Sequence, residues 1–277
     1  MAWPVRLILI ILISYIIFCL IMFVGQRRFL FFPQRFTLAK AEARWRRDGL
    51  LPWPAGGSDY LALHKPAALA PDVAVQGTLL LFHGNAGSAG DRVAYCDVLG
   101  RLGWRVILAE YPGYGAREGS QSEKVLREEG RALAHLVREN FPGRLIVAGE
   151  SLGAAVAAAV AADPTLEPEG VILITPWDRL TTVAAHHYGL LPVRSLLRDR
   201  YDSVAYLQPY RGWLAIVQAE NDEIIPAAST LALVQELAAA EPHHITIPSA
   251  THNDWFWQVS ELDWQKILPP AENADPK

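Results

Sequence analysis

Residues 149–153 read Gly149-Glu150-Ser151-Leu152-Gly153, and what flanks them decides the fold. Upstream, 144–148 is a short β-rich apolar run; downstream, Leu152 opens an alanine-rich stretch carrying Ala154, Ala155, Ala157, Ala158 and Ala159. A G-x-S-x-G run between a strand and a helix is the pattern of a strained turn that lifts a serine hydroxyl above a sheet. Glycines belong there because so sharp a turn leaves no room for Cβ atoms. The helix start also aims N–H groups and its positive dipole end at the place where an oxyanion would form. A plain glycine-bounded turn is the competing reading, since five residues match by chance.

Outward from this turn, β-rich runs at 60–64, 78–82, 105–110, 171–175, 213–218 and 244–247 alternate with helical stretches at 91–102, 122–140, 152–162 and 227–240, and 253–267 closes the body. Strand, helix, strand at this spacing predicts right-handed crossovers, hence a mostly parallel sheet with helices on both faces. An exposed serine needs a histidine to take its proton and an acid to orient that histidine, in chain order Ser, acid, His for this architecture. Asp222 follows the strand at 213–218 and His252 follows the strand at 244–247, both in loops beyond carboxyl ends, where sites gather. Ser151, Asp222 and His252 are therefore the expected catalytic residues. Glu220 and Glu223 are rival acids; His83, His135, His186, His187, His243 and His244 read as bracing, lid or surface residues. Asp254 and Asn253 suit a cap for the last helix.

The run Leu80-Leu81-Phe82-His83-Gly84-Asn85 leads a buried strand into a loop whose glycine lets backbone approach a reacting carbonyl. The backbone N–H groups of Asn85 and Leu152 are the expected oxyanion donors. Tyr111-Pro112-Gly113-Tyr114-Gly115 is either an acyl-pocket wall or a structural turn. Between Thr175 and Trp213 lie 37 residues, more than a crossover needs, and 180–210 reads as a small cap over an apolar site.

At the other end, residues 7–24 form an uncharged run of 18, roughly 27 Å of helix, long enough for the hydrocarbon core. No small-x-small cleavage site follows, so an uncleaved anchor over 1–25 is expected rather than a signal peptide. From Gly25 to Leu50 there are seven Lys/Arg and two Asp/Glu, which places a single-pass anchor with its body in the cytoplasm. This basic stretch reads as a juxtamembrane linker over 26–59, with Phe29, Phe31, Phe32 and Phe36 either in the membrane interface or packed on the body. The hydrolytic domain is expected over 60–268 and a frayed tail over 269–277. The whole chain carries a formal charge of −4, so residues beyond this collar are acidic, which excludes a nucleic-acid binder and suits contact with membrane lipids. With 51% hydrophobic residues the chain buries a full core, and two cysteines exclude a disulfide framework or a structural zinc site.

Together, His83-Gly84-Asn85-Ala86-Gly87-Ser88, the Tyr111–Gly115 turn, Gly149–Gly153, Asp222-Glu223-Ile224-Ile225-Pro226 and His252-Asn253-Asp254 resemble the α/β-hydrolase superfamily. More narrowly they are similar to its membrane-anchored serine hydrolases, which include lysophospholipid lipases and protein depalmitoylases; Leu191-Pro192-Val193-Arg194 and residues 197–203 in the cap add to the likeness. The resemblance spans about 76–257 and implies the same three residues, Ser151, Asp222 and His252, with no cofactor and no metal. Relatives usually carry a glycine where Ala219-Glu220-Asn221 stands. The expectation is a serine hydrolase acting on carboxylic esters or thioesters of apolar acyl chains through an acyl-enzyme. Epoxide hydrolysis and dehalogenation are disfavoured, because members of this fold doing those carry a carboxylate where Ser151 stands. An amidase or peptidase on the same triad, and a non-catalytic membrane scaffold, remain the alternatives.

Overall fold

The computed structural model describes residues 3–69 and 73–270. The chain opens with helix α1 (Trp3–Leu30), none of whose residues is buried in the body. It is apolar and long enough to cross a membrane. A two-residue strand β1 (Phe32–Pro33) follows, then α2 (Leu38–Asp48). Thr37 caps α2 by accepting the Lys40 N–H, and Gly49 ends it in the left-handed region at φ 71°.

Strands β2 (Leu51–Trp53) and β3 (Ala62–His64) run antiparallel at one edge of the main sheet. β4 (Gly77–Phe82) leads through the short β5 (Ala86–Gly87) to α3 (Val93–Arg101), β6 (Trp104–Ala109), α4 (Glu123–Asn140), β7 (Leu145–Glu150) and α5 (Leu152–Ala161). After β8 (Gly170–Ile174) the cap inserts α6 (Leu180–His187), α7 (Val193–Leu196) and α8 (Ser203–Leu207). β9 (Trp213–Ala219), α9 (Ala227–Glu236), β10 (His243–Ile247), α10 (Trp255–Gln258) and α11 (Glu261–Ile267) complete the body.

The eight-stranded sheet has the order β10-β9-β8-β7-β4-β6-β3-β2. It is parallel from β10 to β6, as the alternation of runs predicts. From β4 the chain crosses to β6 on one side and then to β7 on the other, so the strand order reverses between β4 and β7. That reversal opens a crevice at the carboxyl ends, the place where α/β sheets bind ligands. Both faces are covered, which is why the strands read as unbroken apolar runs. Leu80, Phe82 and Val147 pack toward α4 and α5, whereas Leu79, Leu81, Ile146 and Ala148 pack with Tyr95, Leu99 and Trp264 on the opposite side.

Several sequence expectations change here. The stretch read as a linker carries β1, α2 and β2, with Phe31, Ala41, Trp45 and Leu50 buried on the body. Its phenylalanines divide: Phe31 is buried and Phe36 packs on the core, while Phe29 and Phe32 stay exposed. The closing helix is split into α10 and α11, because Ser260 caps a new helix start through a reciprocal bond pair with Asp263. Asp254 caps neither helix by its side chain and instead accepts the Thr251 N–H at 2.7 Å. Of the expected tail, 271–277 lie outside the described residues, while Pro269 is buried and Pro270 accepts from Arg144.

Candidate active site

β7 ends at Glu150 and α5 begins at Leu152, so Ser151 alone makes the turn between them, at φ 52° and ψ −113°. A non-glycine residue held there is strained and needs its surroundings to hold it. The Ser151 N–H donates to Ile174 at 2.8 Å. The flanking glycines are sterically required: a Cβ on Gly149 would sit 2.0 Å from the Gly153 carbonyl oxygen, and one on Gly153 2.0 Å from that of Phe82.

Glu150 points into the body, where it accepts from Arg92 Nε at 2.7 Å and from the Tyr95 hydroxyl. Burial works against the Arg92 charge, but the attraction of Glu150 outweighs it and holds the guanidinium above its ordinary pKa. Burial first, and Glu150 second, push the Tyr95 phenol well above its usual range. These bonds tie the turn to residues 92–95, and all three side chains also border the cavity that holds Ser151.

The expected acid and base, Asp222 and His252, lie in the loops beyond β9 and β10. Asp222 Oδ1 accepts the N–H groups of Ile224 at 2.9 Å and Ile225 at 2.7 Å, which fixes the carboxylate. His252 Nδ1 lies 2.8 Å from Asp222 Oδ2 and 3.0 Å from Oδ1. With its proton on Nδ1 toward that carboxylate, the ring keeps Nε2 as a free acceptor. The two side chains are 10% and 6% exposed, so the pair is largely screened from water. The rival acids face backbone instead: Glu223 accepts the His252 N–H and Glu220 the Ser249 N–H.

Ser151 and His252 line one cavity of about 630 Å³, together with Gly84, Asn85, Leu152 and Thr175. Its size is that of a small-molecule site. Trp177, Trp255, Phe256 and Trp257 give it an aromatic wall, and Leu180 and Val183 of the cap close over it. Among the described residues no hydrogen bond joins Ser151 Oγ to His252, an arrangement common before substrate binds. The N–H groups of Asn85 and Leu152 likewise have no partner among the described residues.

The other histidines are engaged elsewhere. His83 is buried with Nε2 at 3.2 Å from Glu110, a carboxylate that also accepts the Ala89 N–H. His135 meets Asp163 at 3.0 Å, His243 stacks on Trp213 and His244 meets Gln218. His187 reaches from the cap to the carbonyl of Ile224 in the loop after β9 at 2.8 Å, and His186 packs beside it. Tyr111 and Tyr114 are buried braces rather than pocket walls: their hydroxyls donate to the carbonyls of His83 and Asn85.

One set of contacts had no signal in the sequence. β1 pairs in parallel with β5, so the segment leaving α1 lies against the loop after β4, which holds the expected donor Asn85. Phe32 donates its N–H to Asn85 at 2.9 Å, Gln34 to Gly87 at 3.0 Å, and the Asn85 side chain donates back to the Leu30 carbonyl at 2.9 Å. Two-residue strands are too short for periodicity to announce them.

Residues 74–198 match the family described as serine aminopeptidase, S33 (Hydrolase_4). The chain is 36% identical over 180 residues to the uncharacterized protein Rv2307c of Mycobacterium tuberculosis, covering 64% of this chain and 63% of that one. It is 33% identical over 167 residues to the lysophosphatidylserine lipase ABHD12 of Danio rerio, covering 53% and 44%. The chain thus spans less than two thirds of the length of either curated relative. Among solved structures, the esterase Pf2001 of Pyrococcus furiosus superposes with a TM-score of 0.58 at 16% identity, over 84% of this chain and 95% of that one. The sheet order and this superposition establish the α/β-hydrolase fold.

Proposed function

The chain belongs to the α/β-hydrolase superfamily, and from that premise we propose that it is a membrane-anchored serine hydrolase cleaving esters or thioesters of apolar acyl chains. Ser151 Oγ attacks the acyl carbonyl while His252 Nε2 takes its proton, and Asp222 holds the imidazole and stabilises the cation that forms. The oxyanion is received by the N–H groups of Asn85 and Leu152, each such donor worth on the order of 3 kcal/mol in the transition state. Collapse breaks the bond to the leaving alcohol or thiol, which departs with the proton from His252. Water, deprotonated by the same imidazole, then releases the acid and restores Ser151.

The observation that carries this reading is His252, bonded to Asp222, on the wall of the cavity that Ser151 also lines. The apolar character of the substrate follows from the aromatic and aliphatic lining, and the likeness to a lipase points the same way. The family description favours a second reading, aminopeptidase action on the same triad.

Anchoring rests on α1, whose apolar length suffices for one crossing, and orientation on the arginines that follow it. The body then lies on the cytoplasmic side, in contact with lipid headgroups.

A fluorophosphonate probe applied to the detergent-solubilised protein should label the wild type and not Ser151→Ala. Equal labelling, or none in the wild type, would refute catalysis by Ser151. A panel of p-nitrophenyl esters, lysophospholipids, acyl-thioesters and aminoacyl anilides then separates the readings. Turnover confined to the anilides would make the protein a peptidase.

A further inference from the structure

A second hollow, about 160 Å³, lies between α1 and the cap. Met22, Phe29 and Leu30 line it from the helix; Ala184, Leu191 and Leu196 line it from the cap. Met22 and Phe29 are seven residues apart, two turns, so they share one face of α1. Leu30, Leu180 and Val183 line this hollow and the cavity holding Ser151 alike, so the two adjoin and share those side chains as a wall.

The polar groups around the hollow are tied off. Gln26 donates to the Leu196 carbonyl at 3.2 Å and accepts the Arg198 N–H at 2.8 Å, while His187 is held by Ile224. What remains is a hydrocarbon lining with one phenol, that of the half-exposed Tyr188. The two walls are pinned together by a bidentate pair, Arg27 Nε and Nη2 on Asp199 at 2.7 and 3.1 Å.

The position of the cap tip shows what the hollow opens onto. The Tyr15 hydroxyl donates to the Leu190 carbonyl at 2.8 Å, and Leu190 is 89% exposed beside Leu191. Tyr15 precedes Arg27 by 12 residues, roughly 18 Å of helix. With residues 7–24 in hydrocarbon, Leu190 lies at hydrocarbon depth, and an exposed leucine there meets lipid rather than water.

We propose that this hollow is the subsite for one acyl chain of a lipid substrate, admitted sideways from the bilayer between the anchor helix and the cap, with its carbonyl carbon delivered to Ser151. It rests on the hydrolase reading above and adds where the chain lies and by which side it arrives. The anchor is then a wall of the binding site, and a substrate need not leave the membrane to be cleaved.

The test uses the full chain in phosphatidylcholine nanodiscs and a hexadecyl fluorophosphonate bearing a diazirine at its terminal carbon. Ser151 Oγ bonds to phosphorus, fluoride leaves, and the serine proton passes to His252; light then fixes the far end of the chain. Crosslinks in peptides covering 22–30 or 184–197 are expected. Crosslinks confined to 252–257, or to surrounding lipid, would overturn the proposal. Failure of the probe to label Ser151 would instead strike the hydrolase reading itself.

A second variant is independent of the probe. Ala184→Trp fills the hollow and should lower the ratio of kcat/KM for a sixteen-carbon ester to that for a four-carbon ester at least about tenfold. An unchanged ratio would also overturn the proposal.

Discussion

Asp222 is held by two backbone N–H groups and paired with His252, so replacing it tests one atom's charge rather than a whole loop. Asp222→Asn keeps the shape but offers the imidazole an amide, favouring the wrong tautomer, and kcat on a p-nitrophenyl ester should fall on the order of 10⁴-fold. Glu223→Gln alters only an acceptor for the His252 N–H and should cost less than about tenfold; a collapse there with Asp222→Asn active would move the acid's role. Glu150 makes a different demand. Its side chain is 11% exposed and that of Arg92 23%, so this pair is mostly buried. Glu150→Ala strands a guanidinium and a phenol, and should destabilise the protein by about 3 kcal/mol, read as a lower urea midpoint in detergent. An unshifted midpoint would show that Arg92 finds water instead. The placement of Asp222 and His252 was legible because each stands in a loop directly after an apolar run. The Glu150 cluster was not, since its partners lie 58 and 55 residues away and nothing local marks them.

Among the elements, the strands of the parallel sheet announced themselves, because four to six apolar residues bounded by glycine or proline have few other uses. The edge did not. β2 contains Pro52, which argues against a strand in sequence yet is tolerated where one side is unpaired. β1 and β5 share two residue pairs, below any periodic signal, yet they tie the loop after β4, with Asn85, to the segment leaving α1. Asn85→Ala keeps the backbone donor but deletes the side-chain bond to Leu30, so the loop loses one of its ties to the segment leaving α1. The expected result is a fall in kcat of about tenfold with KM little changed, as befits a donor slightly misplaced for the transition state alone. Equal kcat in the two proteins would show that the β1–β5 ladder suffices without that bond.

At the scale of the whole molecule, alternation along the chain was enough for fold class, while the order of the strands and the docking of residues 31–53 depend on which apolar face finds which partner in space. Stability against pH is likewise a property of the entire body. His64 is half-buried on β3, and burial first, then the charge of Arg105, hold its pKa below the ordinary histidine value; burial alone does the same for His244 on β10. The unfolded chain protonates both near pH 6.5. Their contribution is therefore complete above that pH and is lost as the pH falls toward the lower folded values, where the unfolded state binds protons that the native state refuses. Asp163 acts in another window: Thr165 first, then His135, lowers it to about 2, so its contribution fades only below its unfolded value of 3.8. Between pH 7 and 5 the thermal midpoint should decline, and in the double variant His64→Gln, His244→Gln that decline should be shallower. The comparison is of slopes, so a uniform loss of stability in the variant does not disturb it. Parallel curves would mean that other groups carry the proton uptake, and that burial of these two rings leaves their titration where it is in the unfolded chain.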